Sequence, residues 1–122
     1  MKLSECIEEV RLEKPNSFSA ELQTNNINRL EASIQEFLGT DRDEWVQYEW
    51  AEDGGKELIV PMPYDVLYIS YLKAKIDYAL EEYESYANNQ AQFESDFEEW
   101  KAWTIRSGMA NADMPMCFSN WF

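Results

Sequence analysis

The feature that most constrains the fold is a long stretch, from Tyr64 to Ser107, that contains neither glycine nor proline. One set of positions in it recurs at alternating steps of three and four, the period of one helix face. These positions are Leu72, Ile76, Ala79, Tyr83, Tyr86, Gln90, Phe93, Phe97, Trp100 and Thr104. A straight helix of this length would reach about 65 Å, more than a compact domain of this size. The pattern therefore predicts either one long helix that projects toward a partner or two helices with a break near Asn88-Asn89.

Two shorter helices are predicted before this stretch. Residues 3–13 have the apolar spacing of an amphipathic helix, which Pro15 would end. Residues 20–38 show the same spacing over a longer span, and Gly39 follows as a natural helix stop.

The segment between these helices and the long stretch has a different character. Residues 45–50 and 57–60 are rich in aromatic and β-branched side chains, and Asp53-Gly54-Gly55 between them is a turn signal. They predict one small β-hairpin over about residues 45–60. The predicted fold class is therefore mainly α, with a long C-terminal helix or helix pair and this hairpin. We assign residues 1–107 to a single helical domain and residues 108–122 to a hydrophobic C-terminal tail.

The charge balance limits the partners of this chain. It has 24 acidic and 10 basic residues, for a formal net charge of −14. Such a chain is poorly suited to grip nucleic acid or an anionic membrane surface, because both need clustered Lys and Arg. No apolar run is long enough to span a bilayer. Cys6 and Cys117 suggest no disulfide framework, and we expect a protein of cytosolic origin with reduced thiols.

The sequence offers no chemistry that would define an enzyme. It contains no histidine, the commonest general base and metal ligand, and no glycine-rich phosphate loop. The densest carboxylate clusters, around residues 81–84 and 96–99, have the pattern of a solvated helix face. We therefore predict no catalytic residues, no cofactor and no metal site.

Aromatic residues are more numerous than one small core needs. The chain has five Trp, seven Tyr and six Phe. Most rings at helical spacing should pack between helices, but some should meet another chain, because Tyr and Trp are enriched at interface hot spots. The candidate interface residues are Trp45, Trp50, Pro61, Pro63, Tyr64, Phe93, Phe97, Trp100, Trp121 and Phe122.

Several motifs occur in an order that is familiar from one class of protein. The most specific is Pro61-x-Pro63-Tyr64-Asp65, followed by Leu67-Tyr68 and Tyr71-Leu72. The supporting motifs are residues 3–10 (LSECIEEV), 14–19 (KPNSFS), 28–31 (NRLE), 57–60 (ELIV), 76–77 (ID), 82–83 (EY) and 86–88 (YAN). Together, from about Leu3 to Arg106, they resemble small structural proteins of tailed bacteriophages and prophages, of the head–tail connector (adaptor) type. The chain departs from that pattern at Asn25-Asn26 and in its hydrophobic tail.

The resemblance implies a homo-oligomeric ring in the neck of the virion, assembled in the bacterial host cytoplasm. Such a ring joins the portal to the tail and neck proteins and extends a passage through which DNA moves without specific binding. No membrane, small-molecule substrate or catalytic residue is implied. An alternative from the charge alone is an acidic inhibitor, or DNA mimic, of a host nucleic-acid-binding protein. An enzyme would require a deep polar pocket with a buried, desolvated carboxylate.

Overall fold

The computed structural model describes residues 1–108, and its fold is mainly helical, as predicted. The helices in this range are α1 (Leu3–Glu13), α2 (Ala20–Leu38), α3 (Trp50–Asp53), α4 (Val66–Ala79) and α5 (Tyr83–Arg106), with a 3-10 helix at Arg42–Glu44.

Helices α1 and α2 have the predicted bounds because their ends are marked in the sequence. The Ser19 hydroxyl accepts a hydrogen bond from the Leu22 N–H and caps α2, and Gly39 ends it in the left-handed conformation at φ 74°. The buried apolar side chains are Leu3, Cys6, Ile7 and Val10 on α1, and Ile27, Leu30, Ile34 and Phe37 on α2.

Helices α4 and α5 form an antiparallel helical hairpin. Its direction is visible in three ring contacts, which pair early residues with late ones: Tyr64 with Trp103, Tyr71 with Phe93, and Tyr78 with Tyr86. The ring centroids in these pairs lie 5.3, 5.1 and 5.3 Å apart. Helix α4 also packs against α1 and α2 and so occupies the centre of the fold.

The long Gly- and Pro-free stretch is broken, but not near Asn88-Asn89, where the sequence placed the alternative. The break spans residues 80–82, and Glu81 there adopts φ 60°. Asn89 instead lies inside α5, where its side-chain amide donates a 2.6 Å hydrogen bond to Asp77 on α4. The helix pair is therefore correct, and the predicted position of its break is wrong.

The predicted hairpin over residues 45–60 is also wrong. No strand forms within residues 1–108, and the only β-type pairing there is an isolated bridge between Lys2 and Glu57. Residues 45–49 of the first β-prone run are extended until α3 begins at Trp50, and the predicted turn is present at Gly54-Gly55, whereas Asp53 is the last residue of α3.

The physical reason is that side chains of α2 take the place of a neighbouring strand. The side-chain amide of Asn28 accepts from the Tyr48 N–H at 2.8 Å and donates to the Tyr48 carbonyl at 2.9 Å. The amide of Gln35 does the same for Val46, at 2.7 and 3.2 Å. Since these backbone groups are already hydrogen-bonded, residues 45–49 do not require residues 57–60 as a pairing strand.

A single hydrophobic core draws on α1, α2, α4, α5 and the segments between them. Cys6 lies inside this core as a free thiol, and burial raises its pKa above the ordinary value. Helix α5 ends at Arg106, one residue before the predicted domain boundary. The predicted tail beyond Gly108, with Cys117, lies outside the described residues.

Candidate functional site

The predicted interface residues fall into three environments. Phe93 and Trp100 are buried in the chain's own core, so neither is available to a partner in this structure. Half-buried are Trp45, Trp50, Tyr64 and Phe97, and exposed are Pro61 and Pro63. Trp121 and Phe122 lie outside the described residues. The structure does not bring these residues together into one site.

An apolar cluster that the sequence did not single out lies at the turn between α4 and α5. Tyr78, Leu80 and Tyr83 are 61%, 49% and 58% exposed. The Tyr78 ring makes edge contacts with Tyr83 and Tyr86, at centroid distances of 6.2 and 5.3 Å. We call the turn with its exposed side chains, residues 78–84, the α4–α5 corner. Exposed rings held by one another form a preorganised apolar surface.

A buried carboxylate fixes the shape of this corner. Asp77 is fully buried and accepts hydrogen bonds from Ser85 at 2.8 Å and from Asn89. It also pairs with the Lys14 ammonium, which bonds Glu82 at 2.8 Å. Burial alone would raise the pKa of Asp77, but the hydrogen bonds from Lys14, Asn89 and Ser85 outweigh it and lower that pKa. The ionised carboxylate thus ties the end of α1 and the start of α5 to α4.

A groove that contains two positively charged side chains lies along α2. Its lining residues are Asn25, Asn28, Arg29, Ala32, Arg42, Trp45, Val46 and Gln47, and its volume is about 580 Å³. We call it the arginine groove. The Arg42 guanidinium lies 4.8 Å from the centroid of the Trp45 ring, whose Nε1–H donates to the Thr40 carbonyl at 2.8 Å. Trp45 is therefore held in position, with Arg42 stacked on it.

The cations of this groove have no acidic partner in the described part of the chain. Although acids outnumber bases 24 to 10, neither Arg29 nor Arg42 pairs with a carboxylate of residues 1–108. Arg29 also acts on the neighbouring Tyr71, because burial raises the pKa of that phenol and the positive charge of Arg29 offsets part of the rise. Two guanidiniums beside an indole can bind a carboxylate or another planar anion through paired N–H donors.

A second buried carboxylate is desolvated, as a catalytic acid would be, but it is not accessible to a substrate. Glu31 is fully buried, and burial raises its pKa above the ordinary value, despite hydrogen bonds from Tyr68, Tyr48 and the Ile59 N–H. The same environment raises the pKa of both tyrosines. Its two oxygens are occupied by these donors, so Glu31 joins α2 to Tyr48, to the segment at Ile59 and to α4.

The described residues contain no other arrangement with recognisable chemistry. Within residues 1–108 no three His, Cys, Asp or Glu side chains are grouped so that they could hold a metal ion. None of the helices in that range combines the length and the apolar character needed to span a bilayer.

Comparison of the chain with protein-family models, with curated proteins and with solved structures finds no match.

Of the predicted interface residues that the structure describes, only Trp45 belongs to either of these two surfaces. Trp45 was singled out as an interface residue and lies in the arginine groove. The exposure of Tyr78 and Tyr83 could not be read from the periodicity, because Tyr83 belongs to the same stripe as the buried Phe93. The usable signal was weaker: an acidic run, Glu81-Glu82 and Glu84, that flanks Tyr83.

Proposed function

We propose that this chain is a non-enzymatic assembly protein that associates with copies of itself, and that it acts as a head–tail connector in the neck of a tailed phage particle. The phage role rests on the resemblance of the motifs around Pro61 to Asp65. Self-association rests on the α4–α5 corner.

The exposed cluster Tyr78, Leu80 and Tyr83 is the observation that carries the proposal. Each of these side chains would gain roughly 25 cal/mol for every Å² of apolar surface removed from water. Tyrosine has two side-chain torsions and loses little entropy when it is fixed, which is why it is frequent at interface hot spots. The corner belongs to one face of the monomer, so a contact with a different face of a second copy would be head-to-tail and could close into a ring.

The charge of the chain fits the same role. Most of its acidic side chains are exposed, and a net charge of −14 repels both DNA and randomly oriented copies of the chain. A ring with an acidic passage would let DNA move through without adhering, since adhesion requires cations that release phosphate counterions.

Light scattering of the 122-residue chain across a wide concentration range tests self-association. We expect a molar mass that rises with concentration toward a defined oligomer. The double substitution Tyr78→Ser/Tyr83→Ser should shift the chain toward the monomer. Leu12→Ser, at an exposed position on α1, is the matched control and should leave the mass unchanged. A wild-type chain that is monomeric at every concentration would contradict the proposal.

The virion role is tested separately by mass spectrometry of purified phage particles. We expect the chain in the particles, and we expect a deletion of its gene to give filled heads that lack tails. Particles that assemble normally without the chain would contradict this part of the proposal.

A further inference from the structure

We infer that the α4–α5 corner of one copy docks into the arginine groove of the next, with Glu81 and Glu84 facing Arg29 and Arg42. The inference rests on the proposed self-association and specifies the two surfaces that meet.

The arginine groove is a cationic site in an otherwise acidic molecule. Arg29 and Arg42 are both exposed, line the same groove and have no carboxylate partner among residues 1–108. Trp45 and Val46 add apolar surface beside them, and Val46 is an exposed large hydrophobic residue. The groove thus favours a ligand that carries both carboxylates and apolar side chains.

The corner has this combination. Glu81 and Glu84 are exposed and have no side-chain partner in the described part of the chain, whereas Glu82 is held by Lys14. They alternate with the exposed Leu80 and Tyr83. A carboxylate and a neighbouring apolar side chain are therefore available to the same partner surface.

The backbone of the corner supports a role for the Glu81 carboxylate. Glu81 adopts φ 60°, in the left-handed region, where a side chain costs about 1–2 kcal/mol and glycine is the unstrained residue. Its side chain makes no hydrogen bond or ion pair within residues 1–108 that would offset this cost. Strained residues are often found at recognition sites, and Glu81 presents an exposed carboxylate at this turn.

The two surfaces can be used at the same time by one molecule. The corner is formed by the α4–α5 turn, whereas the arginine groove is formed by α2 and the segment at residues 42–47, and no residue belongs to both. Each copy can therefore give its corner to one neighbour and its groove to another, which is the heterologous contact a ring requires. A nucleic acid is a weaker occupant of the groove, because the field of the whole chain repels a polyanion.

Charge reversal on each surface, followed by mixing, tests the contact in the full chain. The corner variant is Glu81→Arg/Glu84→Arg, and the groove variant is Arg29→Glu/Arg42→Glu. Each variant alone should associate at least about tenfold more weakly than wild type, because like charges then face each other. An equimolar mixture should recover association, since each interface in an alternating assembly pairs Arg with Glu. Glu52→Arg/Glu99→Arg has the same charge change as the corner variant at two other exposed positions and should associate like wild type, because its corner and its groove are unchanged.

The outcomes separate this inference from the proposed function. If wild type associates and the mixture of variants does not, the contact is elsewhere and only the inference fails. If wild type never associates, the proposed function fails and the inference fails with it. If the groove variant self-associates normally but loses binding of a duplex DNA oligonucleotide that wild type retains, the groove belongs to a nucleic acid and the inference is overturned. Circular dichroism of both variants should match wild type, and recovery on mixing itself requires that both are folded.

Discussion

The Tyr68 hydroxyl on α4 donates a hydrogen bond to Glu31 Oε1 on α2, in the middle of the core. The same hydroxyl accepts a 3.0 Å hydrogen bond from the Val60 N–H, and Glu31 Oε2 accepts from the Tyr48 hydroxyl at 2.7 Å and from the Ile59 N–H at 3.1 Å. The Glu31 carboxylate therefore links α2 to α4 and holds the segments at Tyr48 and Ile59 beside them.

Removal of this carboxylate should destabilise the fold strongly. Glu31→Ala leaves the Tyr68 and Ile59 donors without an acceptor in the core and the Tyr48 hydroxyl with only the Glu57 carbonyl at 3.4 Å, and we expect a loss of about 2–4 kcal/mol in the free energy of unfolding. Glu31→Gln keeps one acceptor and should lose less than half of that. Urea unfolding measures both, and Glu99→Ala on the exposed face of α5 should change stability by less than about 0.5 kcal/mol. Equal losses for the Ala and Gln variants would show that the acceptor is unimportant.

The free energy of unfolding of the wild-type chain should depend on pH because Glu31 titrates. Its folded-state pKa is raised above the ordinary 4.5, so its contribution is fully present below 4.5 and is lost as the pH rises through the folded-state pKa. Glu31→Gln has no such titration. The stability of the wild type relative to this variant should therefore decrease from acidic to neutral pH, as measured by unfolding at a series of pH values. A difference independent of pH would contradict the raised pKa.

Asp77 should give the opposite pH dependence. Its folded-state pKa is lowered below the ordinary 3.8, so its contribution is present above 3.8 and is lost as the pH falls through the folded-state pKa. Asp77→Asn should cost about 1–3 kcal/mol at neutral pH, because Lys14 loses its buried partner. The cost should shrink in strong acid. Thermal unfolding of both proteins over the acidic range measures this, and a cost that grows on acidification would be the wrong sign.

Glycine at position 81 should separate stability from association. Glu81→Gly relieves the strain at φ 60° and should raise the free energy of unfolding by about 0.5–1 kcal/mol, while self-association weakens because a carboxylate is lost. The matched variant Glu84→Gly lies in the first turn of α5 and should lower stability by a similar amount. Unfolding and light scattering on the same samples measure both effects. A destabilised Glu81→Gly variant would show that the side chain contributes to the fold.

The segment at residues 45–49 should loosen when its amide partners are removed. In Gln35→Ala, the Val46 N–H loses its 2.7 Å acceptor, and we expect its hydrogen exchange to become at least about tenfold faster. Asn28→Ala should do the same for Tyr48. NMR of exchange at these two amides is the measurement. Ser33→Ala, on the exposed side of α2, should leave both rates unchanged, and rates unaffected by Gln35→Ala would mean that other contacts hold the segment.

The parts of the fold that sequence could predict are those whose signals are local. Ser19 and Gly39 mark the ends of α2 directly, and the apolar spacing fixes its buried face. The break at residues 80–82 has no such mark, because neither Gly nor Pro occurs there and the three-to-four spacing runs through it. Its position is set by Asp77, whose partners Lys14 and Asn89 come from other helices.

The hairpin prediction is wrong for a related reason, and the positions of the candidate interface residues were likewise not readable from the sequence. Residues 45–49 are extended, as their β propensity indicates, but their hydrogen-bonding partner is a helix earlier in the chain. Propensity gives the shape of a segment and not the identity of its partner. Likewise Trp100 and Trp45 are equally plausible interface residues in the sequence, and only the packing places the first in the core and the second in a groove.

The way α2 holds residues 45–49 has a consequence for how this protein can diversify. Asn28 and Gln35 hold main-chain atoms of Val46 and Tyr48, so the identity of the exposed side chain at position 47 contributes little to keeping the segment in place. Point mutations there can alter what the groove recognises while its walls stay fixed, as in loops carried on a rigid framework. In the proposed contact, the residue that meets the partner can therefore change without a new fold and without an insertion.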